Sequence, residues 1–154
     1  MAKRDDFTAA IEWTGNRGTG TSGYRAYDRT WSTTTPGKPV IHCSNDPALG
    51  GDPGLHNPED MLLSALSACH MLWFLHLASD AGITVTGYRD EPLGIGESEA
   101  SGAGRFVAAV LRPTITLADP GDADRADRLH GEIHKVCFIA RSATFPVSVE
   151  ATYA

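Results

Sequence analysis

The sequence is short of several things, and each absence narrows what the chain does. It has no excess of positive charge: 13 Lys and Arg stand against 19 Asp and Glu, a formal net charge of -6. A general nucleic-acid or acidic-membrane role is therefore disfavoured, because both need a basic surface. The N-terminus, MAKRDDF, carries no apolar h-region, so no secretory signal is read and the cytoplasm is the expected compartment. No repeat or low-complexity segment is present. With 154 residues the chain is expected to form one domain, 1–154. There are only three cysteines, an odd number. A structural disulfide framework is improbable in a reducing compartment, whereas a redox or nucleophilic pair is permitted. No zinc spacing with a matched second pair occurs among His42-Cys43, Cys69-His70 and His134-x-x-Cys137, so no metal and no organic cofactor are expected.

What is present centres on residues 57–82, NPEDMLLSALSACHMLWFLHLASDAG. Asn57 suits an N-cap, Pro58 the first helical position, and Glu59 and Asp60 the positive end of the helix dipole. Gly82 suits a stop after Ala81. The helix, Pro58 to Ala81, would run roughly 36 Å at about 1.5 Å per residue. Its apolar residues cover more than one stripe, so it is expected to be buried. Asp60, His70, His76 and Asp80 interrupt the run, which excludes a membrane span.

The remaining pattern is mostly strand. Phe7–Trp13 alternates and predicts a strand with one buried face. Tyr24–Thr33 reads as a second strand with Arg25, Tyr27, Arg29 and Trp31 on one face, either a solvated edge or the wall of a site. Lys38–Cys43 reads as a short strand, followed by a Pro, Gly and Asp loop. After the helix, residues 83–90 form a strand, 91–104 a turn region, and 105–117 a strand bent at Pro113. A second, amphipathic helix follows Asp119–Asp124, with Leu129, Ile133 and Val136 on its apolar face. CFIARS is a short irregular or helical piece, and Phe145–Tyr153 closes the chain as a strand. The fold class is α+β, with mainly antiparallel strands and segregated helices. One sheet and one short helix cannot cover a long helix that is apolar all round, which predicts an obligate homodimer.

Cys69 lies mid-helix. Taken alone it reads as a small core residue, since free cysteine is commonly buried and inert. Cys137 sits after the second helix, and reads either as a thiolate favoured by the backbone break and nearby His134 and Arg141 or as an ordinary helix-end turn residue. Together, a helix-buried thiol and one on a more mobile segment suit a peroxidatic and resolving pair. Attack on a peroxide leaves a sulfenic acid, and a second thiol condenses with it before over-oxidation. An arginine suits the role of holding the thiolate, because it stays charged and hydrogen-bonds as a fixed fork. Met61, Leu66, Met71 and Phe138 are candidates for an apolar pocket, or for ordinary core. His56 and His76 read as helix-flank residues, and His70 either hydrogen-bonds near the thiol or faces a dimer partner.

NPEDMLLSALSACH, the later HKVCFIARSATFPVSVE and the opening IEWTGNRGTG resemble the OsmC/Ohr family of thiol-dependent peroxidases over nearly the whole chain. The resemblance implies an intertwined homodimer of curved, mainly antiparallel sheets around a long buried helix, with sites at the subunit interface. It implies reduction of organic hydroperoxides, and of hydrogen peroxide less well, with an external dithiol such as a lipoyl group as reductant. Carried over by motif, Cys69 is the peroxidatic thiol, Cys137 the resolving one, and Glu59 the acid that positions an arginine. That arginine is taken as Arg29, with Arg17 and then Arg25 as alternatives. Two departures, CFIARS in place of a Cys-Pro motif and His70 in place of Phe, mark a divergent subfamily. The competing readings are a non-catalytic protein holding an apolar small molecule on the same fold, and a structural dimer within a larger assembly. Glu59 and Cys69 are about 15 Å apart on a regular helix, so a shared arginine requires an unwound first turn or a site across the subunit boundary.

Overall fold

The computed structural model describes residues 3–154. The chain divides into two compact units, Met1–Met61 and Leu62–Ala154.

The first unit is an antiparallel meander of β1 (Ala10–Trp13), β2 (Trp31–Thr34) and β3 (Ile41–Cys43), in register at Trp13↔Trp31↔Cys43. Two expectations fail here. The strand read from Phe7 begins only at Ala10, and all four of its residues are exposed rather than one face being buried. The strand read over Tyr24–Thr33 begins only at Trp31. Residues 14–30 instead fold back on themselves. The Trp13 indole donates to the Asp28 carbonyl at 2.9 Å and meets the Tyr27 ring edge-on. The carboxamide of Asn16 accepts from the N–H groups of Gly18 and Gly20. Gly15 is required where the two arms touch, since a Cβ there would lie 1.9 Å from the Asp28 carbonyl oxygen. Local side-chain bonds of this kind compete with a sheet ladder, and here they win.

Helix α1 (Pro58–Asp80) begins in the first unit and continues through the second. The capping expectation holds at both ends. Asn57 Oδ1 accepts from the Asp60 N–H at 2.8 Å, and Asp60 Oδ2 accepts in return from the Asn57 N–H at 3.3 Å, a capping box with Asp in the reciprocal position. At the C-terminus Gly82 takes φ +70° and the Ile83 N–H bonds to the Ala78 carbonyl at 2.8 Å. Burial is narrower than expected. Only Leu66, His70, Phe74 and Ala78, spaced four apart, are fully inside, and Leu72 is 62% exposed. By length and composition alone this helix could cross a membrane, but its buried stripe packs against sheet and helix residues of a folded core.

The second unit has two mixed sheets. One orders β4 (Val85–Asp90), β7 (Pro113–Leu117) and β9 (Thr152–Tyr153). The other orders β5 (Leu93–Ser98), β6 (Gly104–Leu111) and β8 (Val147–Val149). β5 falls in the stretch expected to be only a turn. Its glycines hid it: a Cβ at Gly94 would strike the Phe106 ring at 2.4 Å, so glycine is what lets this strand lie beside β6. The long strand expected over 105–117 breaks at Arg112 into β6 and β7. The last strand likewise divides, and both pieces pair in parallel, β8 with β6 and β9 with β7. A parallel return needs a crossover, supplied by α2 (Ala123–Ile133) and α3 (Phe138–Ser142). The buried stripe of α2 is Ala126, His130 and Ile133 rather than Leu129, Ile133 and Val136, and Val136 is exposed. One core gathers Phe74, Ala78, Ile83, Ile115, Leu117, Ala126, Ile133 and Cys137; the other joins Leu66 to Ala109 and Leu111. Burying a side chain such as Phe74 contributes about 1.5–3 kcal/mol.

Candidate active site: a pair of thiols in the helical core

The position of Cys69 follows from the helix. Leu66 and His70 face the core, and Cys69 sits beside that stripe, half-buried. Cys137 reaches it from the opposite element. After α2 ends, the Cys137 N–H bonds back to the Ile133 carbonyl at 2.8 Å, which seats Cys137 directly on the end of that helix. Cys137 then opens α3, accepting on its sulfur from the Ala140 N–H at 3.4 Å. The two sulfurs are 3.0 Å apart, with the Cys137 S–H donating to Cys69 Sγ. All three cysteines are free thiols.

The electrostatics of the pair are unequal. Burial, then the hydrogen bond to Cys69, push the Cys137 thiol up to about 11, against a smaller downward pull from the Ala140 N–H. Neither His134 nor Arg141 contributes to this balance; desolvation outweighs the Ala140 and Ile139 N–H groups, and Cys137 is the protonated partner at neutral pH. The sulfur that accepts the bond is Cys69. Cys43 belongs to the first unit and is fully buried, with its sulfur 3.6 Å from Met61 Sδ, and burial raises its thiol as well.

Arg29 and Glu59 belong to the first unit. Arg29 does not extend from a strand face as read from the alternation. Its guanidinium donates to the carbonyls of Tyr27 (3.0 Å) and Tyr24 (2.8 Å), and lies over both rings, 4.5 Å from the Tyr27 centroid and 4.3 Å from that of Tyr24. Arg17, the second candidate, donates to the Arg25 carbonyl and pairs with Asp28 at 3.6 Å. Arg25 is exposed. Glu59 is exposed in the first turn of α1, and the helix is continuous over Pro58–Asp80, so that turn is not unwound.

Of the residues proposed to line an apolar pocket, Leu66 is core and Phe138 is 61% exposed. Met71 borders an open recess of about 270 Å³ with Ser64, Ser67, Ala68, Tyr88, Asp90 and Pro92. His56 and His76 lie at the surface beside Asp60 and Asp80. Among the described residues, no group of three or more His, Cys, Asp or Glu is placed to hold a metal ion. Sequence reasoning missed His130. It is only 6% exposed and hydrogen-bonds His70. The one available signal was its spacing from Ala126 and Ile133, which puts it on their face.

A model of the OsmC-like protein family matches residues 51–152, which include both cysteines of the pair. The chain belongs to the OsmC family. No curated protein matches its sequence significantly. Among solved structures, an OsmC-like protein of unknown function from Vibrio cholerae is 25% identical, with a TM-score of 0.86, over 96% of this chain and 99% of that one. An organic hydroperoxide resistance protein, OsmC, from Legionella pneumophila is 18% identical, with a TM-score of 0.67, over 98% and 99% of the two chains. One from Elizabethkingia anophelis, described as an organic hydroperoxide resistance protein with thiocyanate bound, is 17% identical, with a TM-score of 0.67, over 99% of both. At these identities the last two establish a shared OsmC-like α+β fold. The first unit's meander, residues 10–43, precedes the stretch the family model matches.

Proposed function

We propose that this OsmC-family protein is a thiol-dependent peroxidase that reduces organic hydroperoxides, and hydrogen peroxide less well. The observation that carries the reading is the 3.0 Å contact of two free thiols in which Cys137 donates and Cys69 accepts. A thiol held protonated beside Cys69 is suited to wait for the second step.

In the first step the Cys69 thiolate attacks the terminal oxygen of the hydroperoxide. The O–O bond breaks, the alkoxide leaves and takes up a proton, and Cys69 becomes a sulfenic acid. In the second, the Cys137 sulfur attacks the Cys69 sulfur. The S–O bond breaks, and the hydroxide leaves as water with the Cys137 proton. An external dithiol of the lipoyl class then reduces the disulfide by exchange. Arg29 is assigned as the cation that holds the thiolate and the leaving oxygen, and Glu59 as the carboxylate that orients it. Glu59 rests on the resemblance of its motif and Arg29 on arginine's permanent charge, with Arg17, whose TGNRG motif sits where the family has its arginine, as the alternative. The working form is a cytoplasmic homodimer. Two large apolar residues of α1, Leu62 and Leu72, are exposed in the single chain, which is in keeping with a partner chain.

The test is steady-state consumption of cumene hydroperoxide and of hydrogen peroxide with dihydrolipoamide as reductant. Turnover that prefers the organic peroxide supports the reading. Absence of turnover with both peroxides, in protein whose thiols are reduced, moves the assignment to a protein that binds an apolar small molecule without chemistry.

A further inference from the structure

Next to the thiol pair lies a second buried pair that the proposed chemistry does not use. His70, the residue after Cys69, is 2% exposed, and His130 on α2 is 6% exposed. His70 Nε2 and His130 Nδ1 are 2.8 Å apart. The ring planes differ by only 9° and the centroids stand 5.1 Å apart, so the rings meet edge to edge in nearly one plane, as a well-aligned hydrogen bond requires. His130 in turn stacks on Phe74, 4.7 Å between centroids. His134 comes within 6.4 Å of His70.

The far nitrogen of His130, Nε2, is buried without a partner. That bears on where the proton sits. If His70 donated, His130 would carry its proton on Nε2, a buried N–H with no acceptor, which folded proteins rarely tolerate. The less costly arrangement has His130 Nδ1–H donating to His70 Nε2, with a bare lone pair at His130 Nε2. A buried polar pair of this kind is poor value as stabilisation, because apolar residues of the same size commonly do as well. What it supplies is direction. An in-plane hydrogen bond fixes both the axial register and the rotation of two helices, which apolar contacts do not.

These two helices are the ones that carry the sulfurs. Cys69 is on α1 beside His70, and Cys137 is tied to the end of α2 through the Ile133 carbonyl. Among the described residues, His70–His130 is the one hydrogen bond between a side chain of α1 and a side chain of α2. We infer that His70 and His130 are positioning residues, a clamp that holds Cys69 and Cys137 in the register disulfide formation needs. The inference rests on the thiol-pair reading above and deepens it. Neither histidine touches a sulfur in this account; both act through the helices.

The test equilibrates the protein with reduced and oxidised dithiothreitol and reads the fraction of Cys69–Cys137 disulfide by alkylation and non-reducing peptide mapping, alongside a urea melt. No peroxide is involved. Because one leucine alone would strand the other imidazole, the variant is the double substitution His70→Leu with His130→Leu. It should lower the disulfide equilibrium constant about tenfold or more, the size expected when linked groups lose their mutual placement, while the urea midpoint holds or rises. His70→Gln and His130→Asn, which keep a hydrogen-bonding atom near Nε2 and Nδ1, should each stay within about threefold of the parent. A double variant with the parent's disulfide equilibrium overturns the clamp and leaves the thiol chemistry standing. A fall in stability and disulfide together, with no rescue by Gln or Asn, also overturns it, because the pair is then ordinary packing. If the parent itself forms no Cys69–Cys137 disulfide, the thiol-pair reading fails and the clamp with it. Nitrogen chemical shifts of the histidines in the parent provide an independent check: His130 must be the Nδ1–H tautomer.

Discussion

The Cys137 thiol donates its hydrogen to Cys69 Sγ across 3.0 Å, so the two sulfurs are chemically unequal before any oxidant arrives. The first prediction follows from that inequality. With iodoacetamide at neutral pH, Cys69 should be alkylated ahead of Cys137 and Cys43. The Cys137 rate should rise about tenfold per pH unit, because its thiolate fraction does so at every pH below its pKa, which burial pushes up to about 11. Competitive labelling with mass spectrometry across pH 6–10 (roughly the range where thiols titrate) checks it. A Cys137 that labels first contradicts the assignment of roles.

Removing each thiol should fail differently. Cys69→Ser should lower hydroperoxide turnover by about a thousandfold or more, as expected for loss of a nucleophile. Cys137→Ser should still complete one turnover. With no resolving thiol, its Cys69 sulfenic acid should then climb to the sulfinic acid under excess peroxide. Intact mass distinguishes the two outcomes.

The buried histidine pair makes stability depend on pH. Burial, then His130 and His134, lower His70 from its ordinary 6.5 to about 4. Burial and His134 also lower His130, opposed by Asp127 and Asp90. The unfolded chain therefore takes up a proton near pH 6.5 that the folded chain refuses until about pH 4. Where the unfolded state binds more protons, stability rises with pH. Stability should thus fall as pH drops through that window and level off below it, with His70 accounting for roughly 3 kcal/mol at most. Urea melts at pH 7, 6 and 5 test the sign, and the double leucine variant should flatten the dependence.

Two packing predictions locate the stability of α1. Phe74 is fully buried, stacks on His130 and meets Tyr88, so Phe74→Ala should cost about 3–5 kcal/mol by leaving a cavity. Asn57→Ala removes the side-chain acceptor for the Asp60 N–H and should cost about 1 kcal/mol. Denaturation midpoints give both values, and a cap cost near zero would place the start of the helix elsewhere.

Legibility in the sequence tracked how local the deciding interaction was. The helix from Pro58 was readable because Asn57, Asp60 and Gly82 cap it from within a few residues. The bend between β6 and β7 was readable from Pro113. The thiol pair was readable only through its motifs, since 68 residues separate Cys69 from Cys137 and no periodicity joins them. What was misread depended on partners distant in the chain. The β5 glycines look like a turn until the Phe106 ring lies against Gly94. Arg29 alternates like a strand residue until Tyr24 and Tyr27 fold onto it. His130 looks like a surface residue until His70 meets it. The parallel pairing of β8 and β9 required knowing that α2 and α3 form the crossover.

The central claim is that Cys69 and Cys137 are a redox pair. Its most direct measurement is a non-reducing peptide map of the reduced protein after one equivalent of cumene hydroperoxide. The account predicts loss of two hydrogens from the intact mass and a single Cys69–Cys137 cross-link, with Cys43 still free. An unchanged mass with all three thiols free would contradict it.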